Sequence, residues 1–111
     1  VEEALRSKPE AALSKPERYV LAVEAMEREV NNGGWDQFFL NTANEFDAIL
    51  SVALEAIGCP DTALISCEAL EAYRAGRDLQ VFDDRYYSSR ESIEDKLFAY
   101  IAANADAINL R

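Results

Sequence analysis

The chain has 111 residues, 21 acidic and 11 basic side chains, no histidine, two cysteines and a formal net charge of −10. That length suits one compact domain, and half of the residues are apolar, enough to bury a core. The acid excess argues against a surface that tracks nucleic-acid phosphates, and the lack of histidine removes histidine acid–base catalysis and most zinc or iron sites.

Two copies of Ser-Lys-Pro-Glu, at Ser7 to Glu10 and Ser14 to Glu17, each read as a capping box with proline in the first helical turn. They predict a short N-terminal helix ending near Leu13, part of an extension over 1–14, and then one helical domain over 15–111. The next helix is expected from Pro16 to Val30, with Tyr19, Val20, Val23, Met26 and Val30 on one face. Asn31-Asn32-Gly33-Gly34 is expected to stop it, and Trp35 to Leu40 to form one or two further turns. Asn44 reads as the cap of a helix whose apolar residues Phe46, Ile49, Leu50, Ala53, Leu54 and Ile57 follow 3-4 spacing up to Gly58. A helix from Pro60 to Gly76 is expected to turn Leu64, Cys67, Leu70 and Tyr73 inward. Leu79 to Phe82 fits either an extended segment or a helical turn. Ser88 with Glu91 reads as a capping box for a last helix lined by Ile93, Leu97, Tyr100 and Ile101, with a break at Asn104 and Ala105 and with Ile108 and Leu110 packing the tail. No segment sustains a period of two, so the fold class is all-α, with about five to six helices in a single compact domain.

Cys59 and Cys67 stand without a second pair, which excludes a zinc ribbon and a CxxC motif, and they read as two buried free thiols. No apolar run approaches the roughly 20 residues that span a bilayer, and no basic segment precedes an apolar one at the start. A cytoplasmic protein with no membrane partner is the expectation.

Charge is uneven along the chain. Residues 31–75 carry seven acids and one base, whereas 1–30 and 76–111 each carry seven acids and five bases. No phosphate-binding glycine loop is present, and nucleophile-plus-base schemes lack their usual base. The sharpest carboxylate pair, Asp83-Asp84, reads as an acidic helix-entry loop. Glu24, Glu27 and Glu29 read as a solvated face, with Glu24 and Arg28 at favourable i,i+4 spacing. An enzyme is not expected, nor is a metal or a cofactor.

Two constellations remain. In Asn32-Gly33-Gly34-Trp35-Asp36-Gln37-Phe38-Phe39-Leu40-Asn41 the glycines permit a reversal, the aromatics fill the angle between helices, and the Gln37 and Asn41 amides are placed to satisfy open backbone groups. Trp35 is expected to be buried; an exposed Trp35 would instead make a partner-binding patch. The second is Val81-Phe82-Asp83-Asp84-Arg85-Tyr86-Tyr87, where Phe82 and Tyr86 read as core.

Glu29 to Gly34 followed by Trp35-Asp36-Gln37-Phe38-Phe39 and Asn41 resembles the signature of the DNA-mimic protein 19-like family, and Phe82 to Tyr87 resembles its second block. The likeness runs from about Tyr19 to Ile108. It implies a small helical domain in which Asn32, Gly33, Gly34, Trp35, Asp36, Gln37, Phe38, Asn41, Asp83, Asp84 and Tyr86 are fold determinants. It also implies that some members present acidic side chains where a DNA-binding protein expects phosphates.

Two functions follow as expectations. One is a non-enzymatic acidic interaction protein that competes with DNA for a basic DNA-binding or nucleoid protein, using Asp36, Glu45, Asp47, Glu55, Asp61, Glu68 and Glu71. The other is a regulatory or immunity-type module that binds a protein through an aromatic or apolar surface, its acids only solubilising. Neither binds nucleic acid directly, and a homodimer is compatible with both.

Overall fold

Ser14 and Glu17 begin the first helix by reciprocal capping: the Ser14 N–H donates to Glu17 Oε1 at 2.9 Å, and the Glu17 N–H donates to Ser14 Oγ at 3.2 Å. A computed structural model describes residues 13–42 and 44–108. Five helices make up its regular structure, and it holds no strand: α1 Lys15–Thr42, α2 Leu50–Ile57, α3 Pro60–Arg74, α4 Gln80–Ser88 and α5 Ile93–Ala103. The fold is all-α. The expected Ser7 capping box, the helix ending at Leu13 and the packing of Leu110 lie outside the described residues.

α1 is the axis of the domain and packs against each of the other four helices. Its first arm is buried nearly all round, with Val20, Leu21, Ala22, Val23, Ala25, Met26 and Val30 in the core, as a helix surrounded by others must be. Tyr19 is half-buried at its edge. The second arm adds Trp35, Phe38 and Phe39. Trp35 is fully buried, stacked on Phe39 at 5.7 Å between centroids and edge-on to Phe38 and Tyr86 at 5.8 and 5.9 Å. Ser14 also ties the start of α1 to the chain's end, since its hydroxyl donates to the Ala107 carbonyl at 2.7 Å. Ile108 packs into the core beside it.

Four expectations need correction. Asn44 does not cap α2: it sits in the left-handed region at φ 72°, within turns that run to Ile49, and α2 begins only at Leu50. Phe46 is buried all the same, so its spacing reports packing rather than helix. At the far end α2 closes as expected on Gly58 (φ 96°), with the Cys59 N–H donating to the Leu54 carbonyl at 2.8 Å.

The inward face of α3 is also different. Leu64 and Cys67 point outward and Leu70 and Tyr73 are only half-buried, whereas Thr62, Ala63, Ile65, Ser66, Ala69 and Ala72 face the core. Small residues let the α3 backbone approach its neighbours closely, and Ser66 satisfies its own hydroxyl on the Ala63 carbonyl at 2.7 Å. The close approach wins over the size of the apolar side chain. Cys59 is therefore the one buried thiol, pushed up to about 11 first by desolvation and then by the Glu91 charge; Cys67 is exposed.

Leu79 to Phe82 resolves as a helix entry, with Leu79 fully buried at the N-cap of α4. Ser88 and Glu91 form no capping box, because Ser88 is the last residue of α4 and its hydroxyl returns to the Asp84 carbonyl at 2.8 Å. Ser92, not Ser88, precedes α5, and its hydroxyl donates to Asp95 at 2.7 Å.

Candidate functional site

Glu91 has a different task. The N-cap of α3 is Cys59, whose side chain makes no cap hydrogen bond, and the Glu91 carboxylate takes that place from about 30 residues further along the chain. It accepts from the Asp61 N–H at 2.8 Å, the Thr62 N–H at 2.7 Å and the Thr62 hydroxyl at 2.6 Å. Burial pushes the Glu91 carboxyl up, but these three bonds outweigh it and hold the group below the ordinary carboxylate value.

The same device is used at the bend in α1. The helix is interrupted at Gly33 (φ −154°, ψ 17°) and Gly34 (φ 82°, ψ −178°), so it is two arms rather than a helix that stops at Val30. The second combination belongs to a region of backbone space that is essentially glycine's alone. α4 closes the bend from outside. Asp83 Oδ1 accepts from the Trp35 N–H at 2.9 Å, which is an N-cap for the second arm supplied from elsewhere in the chain. The Trp35 indole N–H donates to the Phe82 carbonyl at 3.2 Å, and the Tyr87 hydroxyl donates to the Val30 carbonyl at 2.8 Å on the first arm. Asn31 donates to the Glu27 carbonyl at 2.7 Å and reaches the Tyr86 hydroxyl at 3.4 Å. Burial is the main cause that raises the Tyr86 phenol well above its usual range.

A second brace runs along α1 itself. Glu29 Oε1 accepts from both Gln37 Nε2 and Asn41 Nδ2 at 2.9 Å, while Oε2 pairs with Arg28 at 3.0 Å. The bonds from Asn41, then Gln37, then Arg28 hold its carboxyl below the ordinary value. Gln37 and Asn41 thus serve a side chain rather than open backbone groups, and Glu29 is a brace rather than part of a solvated face. Gly33 is needed for space: a Cβ there would overlap the Gln37 amide as it crosses the bend. At Gly34 a Cβ would stand 2.5 Å from Asp83 Oδ2.

The two constellations are therefore one assembly. Asn31 to Asn41 supplies the bend, and Phe82 to Tyr87 supplies the groups that close it. Asp83 lies at this junction rather than in an acidic entry loop, whereas the Asp84 carboxylate receives Gln80 Nε2 at 3.0 Å along α4. Asn32 and Asp36 are exposed on its outer side.

The seven candidate acids fall into two groups. Asp47 is paired with Arg74 at 3.2 Å and Glu68 with Arg85 at 2.8 Å. Asp36, Glu45, Glu55, Asp61 and Glu71 are exposed, and no basic side chain pairs with them among the described residues. Among the described residues no group of three or more metal-ligating side chains converges, and no helix is long and apolar enough to cross a membrane.

A bend closed from outside by an aromatic-acidic helix defines a small all-α domain in which Gly34, Trp35, Gln37, Asn41 and Asp83 hold the shape of the bend. The family model of DMP19-like proteins matches residues 11–104, and the chain belongs to that family. No curated protein and no solved structure matches it.

Proposed function

We propose that the domain is a non-enzymatic, acidic interaction protein that competes with DNA for a basic DNA-binding protein. The observation that carries this reading is the set of five exposed, unpaired carboxylates, spread from the second arm of α1 (Asp36) through the following turn (Glu45) to α2 (Glu55) and α3 (Asp61, Glu71). They come from the stretch 31–75, whose only base, Arg74, is already paired with Asp47. Family membership supports the reading to the extent that the resemblance implies that some members present acidic side chains where a DNA-binding protein expects phosphates.

Magnitudes limit how this works. The longest dimension of the domain is 40 Å, over which duplex DNA displays about 24 charges at one per ~1.7 Å. A net charge of −10 is less than half of that. Local density on the middle third, rather than total charge, must therefore do the competing.

The test is capture of partners from a cell lysate on the immobilised domain, with elution by salt and by duplex DNA, for the parent and for a variant with the five carboxylates changed to amides. A basic DNA-binding protein released by either eluant, and not held by the variant, supports the proposal. A partner that survives salt, ignores DNA and binds the variant sinks it, and favours an apolar-surface module instead.

A further inference from the structure

We draw no further inference here: the strongest candidate, the cavity between α3 and α4 lined by Leu64, Arg85 and Arg90, carries nothing, because Asp61 in its wall and the Glu68 partner of Arg85 offset the two arginines and nothing in the structure shows what covers it.

Discussion

Replacing Gly34 by alanine should unfold the domain at a much lower temperature, for two separable reasons. The backbone at φ 82°, ψ −178° costs a residue with a Cβ about 1–3 kcal/mol. The new Cβ also stands 2.5 Å from Asp83 Oδ2, so the carboxylate must move and release the Trp35 N–H. Losing that charge-assisted cap costs another ~1–3 kcal/mol. The sum is about 4 kcal/mol, or about 15 °C in Tm for a domain of this size. Asp83→Ala alone loses only the cap, about 1–3 kcal/mol. The double variant has no carboxylate left to displace, so it should be about as stable as Gly34→Ala rather than worse by the full Asp83 effect. Urea unfolding followed by far-ultraviolet circular dichroism and by Trp35 fluorescence measures all four proteins. Additivity within about 0.5 kcal/mol would show that Gly34 and Asp83 act independently, and would refute the closure of the bend by α4.

Other expectations concern protons and thiols. Glu91 is held below the ordinary carboxylate value of 4.5, so its stabilisation is present above that value and is lost as pH falls through its folded value. Glu91→Gln should lower Tm at neutral pH and flatten the acid limb of a Tm–pH curve; an unchanged curve would remove Glu91 from the α3 cap. Glu27 is raised above 4.5, chiefly by desolvation and then by Glu94 and Glu24. Its sign is opposite: stability is full below 4.5 and is lost as pH rises through the higher folded value. Glu27→Gln should therefore raise Tm at pH 7 and match the parent in acid, and a lower Tm at pH 7 would contradict this. A thiol reagent should label Cys67 alone in the native domain and both cysteines in denaturant, because Cys59 is fully buried and its thiol is pushed up to about 11; rapid native labelling of both would contradict the α3 face described here.

Local signals carried much of the fold. The Ser14–Glu17 box, the Gly58 stop, the burial of Trp35 and the helical period of α1 and α2 each depend on residues within a few positions of one another. On α3 apolar size points to Leu64 and Cys67 as the inner face, whereas close packing selects Ala63, Ser66, Ala69 and Ala72. The two constellations around Trp35 and Asp83 were visible as strings, but not as one assembly, because their bonds join residues 47 to 57 positions apart. The bond from Glu91 to the start of α3 is hidden for the same reason, since it joins residues 29 and 30 positions apart. Helical spacing does not reveal Glu29 with Gln37 and Asn41 either: on a straight helix they would stand about 12 and 18 Å away along the axis, and the bend at Gly33 and Gly34 brings both within 2.9 Å.

Competition with DNA has a direct measurement. A labelled duplex is bound to a basic DNA-binding protein captured by the domain, and its fluorescence anisotropy is followed as the domain is added. Mutually exclusive binding predicts release of the duplex to the free value, with the variant carrying amides at Asp36, Glu45, Glu55, Asp61 and Glu71 at least about tenfold weaker. A ternary complex with the duplex still bound, or equal displacement by the variant, would contradict it.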